Sequence, residues 1–358
     1  MKRKIEIIVL FIFLAGGGFV FTRSGQMQTT QVKTAGETFK NIQVLKDMPA
    51  EQLDKVMAIF TGALGVKCNF CHVPGQWEKD DKEEKNTARQ MIKMMMAINK
   101  DNFNGRTEVS CATCHAGRPH PSAIPPLGQN AFQQQAAPSK ESLPTIDQVI
   151  DKYVQALGGK AALEKVSTRV IKGSRVGADG TAVPEEVYEK LPGKILVVTT
   201  YPQGAMTSVY NGTDVWTLNG KGQTGKMSAD EAEQFKREAQ LLEPEKLKEI
   251  YKDMAVAGVD KIGDREAYVV RAVTKDGGRE RLYFDRQSGL LVRRFASAPT
   301  VIGMFPFQVD YGDYKPVDGV QVPMTIQWAI PGRTWSRKVT DVKQNITVED
   351  AKFNASAK

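Results

Sequence analysis

The sequence predicts an α+β chain of two domains. A mainly α-helical N-terminal domain is followed by an antiparallel, curved β-sheet with helices packed on it. Three observations carry this. Apolar residues recur at helical spacing up to about residue 118, and most of the chain beyond about residue 168 alternates apolar with polar. A stretch rich in Pro, Gln, Ala and Ser, nearly free of charge, separates the two regimes. The length, 358 residues, exceeds one ordinary domain.

Taken in order, "MKRKIEIIVLFIFLAGGGFVF" has a basic start and then an apolar run of about 16 residues. Residues 1–25 are expected to be a signal sequence or an N-terminal membrane anchor, placing the rest outside the cytoplasm. The run is short for a span of roughly 20 residues. No clear small-residue cleavage site follows it, and no lipid-anchoring cysteine does. "AEQLDKVMAIFTGALGV" places Leu53, Val56, Met57, Phe60 and Leu64 at helical spacing, with Pro49 at the start, where its missing N–H costs little. "NTARQMIKMMMAIN" signals a second helix with Asn86 or Thr87 as N-cap. Residues 38–121 form the expected first domain and 122–144 the linker.

The second domain, 145–358, opens on a helix running from a Thr145 cap to a Gly158-Gly159 stop, then a short helix. Strand-like segments rich in Val, Thr, Tyr and Ile follow, punctuated by Asn211-Gly212, Asn219-Gly220 and Ser288-Gly289. One helix, "SADEAEQFKREAQLL", interrupts them. Acid pairs such as Glu185-Glu186 and Asp310 with Asp313 read as solvated faces and turns.

Composition narrows the function. An apolar share of 41% with 25% charged residues is ordinary for a soluble globular protein. The net charge of +8 is spread among acids rather than gathered into a stripe, so no nucleic-acid partner is expected. A weak preference for anionic membrane surfaces or acidic partners is compatible with it. Beyond residue 120 there is no cysteine or histidine, which removes His-based catalysis, thiol chemistry and most transition-metal sites from the second domain.

All four cysteines lie in two clusters, Cys68-x-x-Cys71-His72 and Cys111-x-x-Cys114-His115. Each is the attachment signature of c-type haem. One tight turn aims both thiols at the two vinyl groups of one porphyrin, and the adjacent imidazole reaches the iron. A four-thiolate zinc site would leave both histidines unexplained. A thioredoxin-like pair usually sits beside a βαβ pattern, which is missing, and disulfides would be strained across so short a spacing. Two covalently attached haem c groups are therefore expected. Far-side ligands are open at this level: Met57, Met91, Met94, Met95 and Met96 compete, and core packing is the alternative use of each. His120 is expected at the surface. Arg89, Arg118 and Lys85 are candidates to pair with haem propionates. Trp77, Phe70 and Phe103 read as haem-pocket packing.

"NIQVLKDMPAEQLDKVMAIFTGALGVKCNFCH" and "ARQMIKMMMAINKDNFNGRTEVSCATCHAGRPHP" resemble the cytochrome c subunit of photosynthetic reaction centres. That family repeats a unit of helix, turn and haem site four times; this chain holds two, over about residues 38–121, fused to an unrelated β-rich domain. The resemblance implies Met57 as distal iron ligand of the first haem. Its "RxM...N" run, matched by Arg89, Met91 and Asn99, implies Met91 for the second. Asn102 to Ser110 contain no histidine, so a bis-His haem is not expected. More loosely, "ALGGKAALEKV" followed by a curved, helix-covered sheet is similar to the open half-barrels of periplasmic lipoprotein carriers. That likeness implies an apolar ligand for the second domain.

The resulting expectation is an exported dihaem cytochrome, periplasmic or anchored to the inner membrane facing the periplasm. It would carry single electrons between a redox protein donor and acceptor and would not be an enzyme. Two alternatives of different class stand beside it. One is a dihaem peroxidase or reductase with an open iron. The other is a lipid- or partner-binding β domain with an electron-transfer module attached.

Overall fold

The computed structural model describes residues 32–121, 142–225 and 227–354. The segment expected to direct export (1–25) and most of the expected linker (122–141) lie outside the described residues. Among the described residues, no helix is long and apolar enough to cross a membrane.

The N-terminal region is helical. Helix α1, Ala35–Thr38, starts with a reciprocal capping box between Thr34 and Glu37. Helix α2, Leu53–Leu64, follows a short 3-10 turn begun at Pro49 and stops at Gly65, whose left-handed backbone (φ 66°) ends it. Helix α3, Glu83–Phe103, begins a turn earlier than its sequence signals. Asn86 caps nothing because its side chain accepts from Arg89 Nη1 (2.6 Å), while Glu83 and Glu84 complement the positive end of the helix. Helix α4, Cys111–His115, is the second cysteine motif itself. Ala35, Met48, Val56, Ile59 and Met95 form the core of this module.

After helices α5 (Ile146–Ala156, with Thr145 as cap) and α6 (Lys160–Leu163) the chain builds one antiparallel sheet. Its strands are β1 Thr168–Gly177, β2 Ala182–Lys190, β3 Lys194–Tyr201, β4 Gly204–Tyr210, β5 Val215–Leu218 and β6 Thr224–Gly225. Helices α7 (Ala229–Gln240) and α8 (Leu247–Ile250) come next. They lead to β7 Tyr251–Ile262, β8 Arg265–Thr274, β9 Arg279–Asp285, β10 Leu291–Thr300, β11 Gly303–Val317, β12 Val320–Ile330 and β13 Arg333–Gln344. The strand order is β6-β5-β4-β3-β2-β1-β13-β12-β11-β10-β9-β8-β7. Its ends, β6 and β7, do not pair, so the curved sheet is open, as the sequence implies.

Alternation sorts the faces of the sheet. Ile171, with Val187 and Ile195, packs against Ala239 and Phe235 of α7. The preceding residue, Val170, packs on the opposite face with Leu196, Val209 and the returning tail residues Val348 and Phe353. At the far end, α5, α6 and α8 bury Tyr153, Leu163 and Leu247 against Val270, Leu282 and Phe284.

The face beneath α7 is charged as well as apolar. Glu280 accepts from Tyr251 Oη (2.7 Å) and Arg237 Nε (3.3 Å), with Arg294 Nη1 at 3.5 Å. Arg294 is wholly buried and donates to Gln234 on α7 (2.7 Å). Trp328 Nε1 donates to Glu238 (3.0 Å), whose carboxyl is pushed up by burial. Glu185 corrects the expectation of a solvated acid: it is buried, takes Arg337 Nε at 2.5 Å and Thr199 Oγ1 at 2.9 Å. Asp310 likewise forms a two-pronged pair with Arg293 (2.6 and 2.8 Å). Glu186, partly exposed and paired with Lys172, and turn residue Asp313, bonded to Thr325, sit as expected.

Two hairpin turns of the sheet reach the helical module. In the β10–β11 turn, Val301 N donates to Gln52 Oε1 (3.3 Å), and Ile302 enters the module's core with no exposed surface. In the β12–β13 turn, Pro331 and Gly332 lie against Thr61 and Gly62 at the end of α2. A Cβ at Gly62 would meet Pro331 Cβ at 2.7 Å, and one at Gly332 would meet Thr61 Oγ1 at 2.4 Å.

Because Glu280 holds two buried arginines, Glu280→Gln should cost about 3–5 kcal/mol, the range for breaking a buried ion pair from one side. Urea unfolding followed by tryptophan fluorescence measures it, as a shift of midpoint at constant slope.

Candidate functional site

Both cysteine motifs sit where a helix ends or a short one begins. Cys68 opens a 3-10 turn, Cys68–Phe70, just beyond α2, and His72 N–H closes back on Cys68 O (3.0 Å). Cys111 opens α4 under a capping box from Ser110 and Thr113. The two are joined through their flanks, because α4 packs against α2 and Gly117 N–H donates to Ala63 O (2.8 Å). The approach leaves no room for a side chain: a Cβ on Gly65 would lie 2.2 Å from Gly117 O.

The four thiols are free. Burial pushes the Cys71 and Cys111 thiols up, the reverse of the depressed value a redox dithiol needs. Among the described residues, no three Cys, His, Asp or Glu side chains converge as a metal cluster, so the two pairs do not assemble a four-thiolate site.

The histidines repeat one arrangement. His72 Nδ1 lies 3.0 Å from Trp77 O, and His115 Nδ1 lies 3.0 Å from Arg118 O. A carbonyl only accepts, so each Nδ1 carries a proton, and in the neutral ring this leaves the lone pair on Nε2. That is the tautomer an iron-binding imidazole needs, oriented from behind by a backbone acceptor. The residues fit covalent haem on this ground. The indole of Trp77 stands edge-on to His72 (centroids 5.7 Å apart) and is exposed, while Phe70 and Phe103 are half-buried.

The loop behind His72 is tied down by Asp80. Its carboxylate accepts from Arg89 Nη2 (2.8 Å), Asn41 Nδ2 (3.0 Å) and Gln43 Nε2 (3.1 Å), with Lys85 Nζ at 3.1 Å. Lys85 also donates to Trp77 O (2.9 Å), the carbonyl that orients His72. Arg89 and Lys85, expected as propionate partners, thus brace this loop in the structure. Arg118 uses its backbone carbonyl on His115 and is exposed, as is His120.

The methionines separate by face. Met57 is half-buried against the module's core. On α3 the buried residues are Ile92, Met95 and Asn99, so Met95 belongs to the core, whereas Met91, Met94 and Met96 are exposed. Asn99, matched in the family resemblance without a role of its own, has one in the structure. Its Oδ1 accepts from Glu108 N (3.1 Å) and Val109 N (2.9 Å), and its Nδ2 donates to Val109 O (2.7 Å). It therefore fixes the segment leading into Cys111. The signal was its place on the apolar stripe, four residues beyond Met95.

Residues 20–151 match the family described as "Photosynthetic reaction centre cytochrome C subunit". The N-terminal region is similar to c-type cytochromes. It is similar to the reaction-centre cytochrome c subunit of Thermochromatium tepidum, 36% identical over 113 residues, covering 27% of this chain and 28% of that subunit. It is also similar to cytochrome c-554 of Chloroflexus aurantiacus, 34% identical over 87 residues, covering 22% of this chain and 21% of that protein. The chain thus spans between about a fifth and a little over a quarter of the length of these relatives. The sheet domain resembles a DUF1329 family protein from Desulfovibrio piger (13% identity, TM-score 0.43, 58% of this chain and 96% of that one). A LolA superfamily protein from Nitrosomonas europaea is comparable (14%, 0.42, 59% and 98%).

Two outcomes test these positioning groups. Asn99→Ala leaves part-buried backbone groups ahead of Cys111 without their partner and should cost about 1–2 kcal/mol in chemical denaturation. The Asp80 carboxyl is held well below the usual value of 3.8 by the Arg89 guanidinium first, then by Asn41. Its stabilisation is complete above the unfolded carboxyl's value and is lost as pH falls towards the lower folded one. Melting temperature should therefore fall more between neutrality and about pH 3 in the parent than in Asp80→Asn.

Proposed function

We propose that the module holds two covalent haem c groups and passes single electrons between a redox protein donor and acceptor outside the cytoplasm. The observation that supports this best is the repeat itself. Two Cys-x-x-Cys-His turns recur, and in each the histidine's Nδ1–H is committed to a backbone carbonyl. Haem c, when bound, supplies reversible one-electron chemistry. The protein's part is attachment, ligation and burial. Cys68 and Cys71 would form the thioethers of one group, with His72 and Met57 as the iron ligands. Cys111, Cys114, His115 and Met91 would do the same for the other. Arg89 and Arg118 remain the candidates for the propionates.

The layout supporting this role is a leader or anchor in 1–25, the dihaem domain at 38–121, a linker at 122–144 and the accessory β domain from 145. The location would be the periplasm, free or held at the inner membrane through the N-terminal segment. A buried arginine- and glutamate-rich face under α7 favours a supporting role for the β domain over uptake of an apolar ligand. Two ligands on each iron leave no open position, which argues for a carrier rather than a peroxidase or reductase.

Protein matured with its haems should show two haems per chain, and the double variant Cys111→Ser with Cys114→Ser should show one. The oxidised spectrum should carry the weak far-red band of Met-to-iron ligation. Met57→Ala and Met91→Ala should each remove part of it and lower one of two reduction potentials. A high-spin spectrum responding to cyanide or peroxide would reverse the assignment towards an enzyme.

A further inference from the structure

We propose that the β domain is a working part of the first haem site: Ile302, at the tip of the β10–β11 hairpin, positions α2 and through it Met57. The inference rests on Met57 being an iron ligand. The core of the cytochrome module has six buried members, and five come from the module itself. The sixth is Ile302, which has no exposed surface and reaches in from the other domain. Val56 and Ile59, its companions on α2, flank Met57 in sequence, and Met57 packs against the same cluster.

The hold on α2 is two-ended. At its start, Gln52 accepts from Val301 N (3.3 Å) beside the Ile302 tip. At its finish, the β12–β13 turn presses Pro331 on Gly62 and Gly332 on Thr61, too close for any side chain on either glycine. Neighbouring turns of one stiff sheet, tied by the β11–β12 ladder, therefore grip the two ends of the ligand-bearing helix. A ligand sulfur must be held to about half an ångström, and packing of the supporting helix sets that precision. Cutting Ile302 back would open a void behind Val56 and Ile59 and let α2 relax into it. Met91 is exposed on α3, but Cys111 and Val109 of the second site pack on the same cluster, so the readout must be confined to Met57.

The test uses the full chain with haems attached, in a Met91→His background so that the far-red band reports Met57 alone. Ile302→Ala should weaken that band severalfold and lower the potential of one haem while haem content stays at two. Ile302→Val should restore most of both. Val209→Ala, an equally buried truncation in the sheet's other core, should lower the melting temperature and leave the band in place. If Ile302→Ala does not fold, Gln52→Ala, which leaves the core intact, should move band and potential in the same direction by less. Unchanged band and potential in folded Ile302→Ala, or in Gln52→Ala where the former cannot be made, overturn the inference. A parent that lacks the band altogether instead removes Met57 as a ligand, and that result is visible before any Ile302 variant is read.

Discussion

The helical module depends on a contact between two glycines. Gly65 ends α2 and Gly117 follows α4, and the backbone of one lies where the other would carry a side chain. The bond from Gly117 N–H to Ala63 O pins the two motif-bearing segments together. Neither motif has a large core of its own. Each is a single turn of chain, and its histidine is oriented by a carbonyl only a few residues away. Fixing the two turns to one another therefore fixes everything that must be held relative to them. Asn99 performs the same service one step upstream by clamping the run into Cys111.

What was legible in the sequence follows from how local each feature is. A Cys-x-x-Cys-His turn is specified by five residues, and its meaning does not depend on the rest of the fold. The strands were legible because alternation survives in Val, Tyr and Thr. The start of α2 and both ends of α5 were legible because proline, threonine and glycine signals are local chemistry. Less legible was the start of α3, where Asn86 has a helix-capping side chain that Arg89 takes instead. The clamping role of Asn99 was hidden because a polar residue in an amphipathic helix is usually solvated, although its position on the Ile92 and Met95 stripe marked it. No local pattern could have shown Ile302 inside a different domain.

The acids of the β domain teach a related lesson. Glu185 and Glu189 share a face of β2 with Val187, which has no exposed surface, so the period of two already assigned them inward. Their partners, Arg337 and Arg169, lie on other strands, and Arg169 is register-paired with Glu189 across β1 and β2. Charge alone had argued for solvent; periodicity argued for burial, and periodicity was right. The interior under α7 is consequently one where arginine planes rest on aromatic rings, as Arg337 does on Trp328 and Arg294 on Phe307. Such a face is stiff because moving any member leaves a buried charge alone. Stiffness suits a scaffold whose turns must hold another domain's helix.

The order of the sheet bears on how the molecule comes into being. Strands β1 to β6 form one meander and β7 to β13 another, and the two meet only where β1 pairs with β13. Ser167 and Asn345, bonded beside that seam at 2.8 Å, come from opposite ends of the domain. A chain delivered in order from its N-terminus has β1 ready long before β13 exists, and joining them closes the largest loop in the sheet. Until then β1 presents an open row of backbone donors and acceptors, the usual template for mispairing. The final strand is therefore the one that turns two separate half-sheets into a single wall, and a chain broken off before it would be sticky rather than merely short.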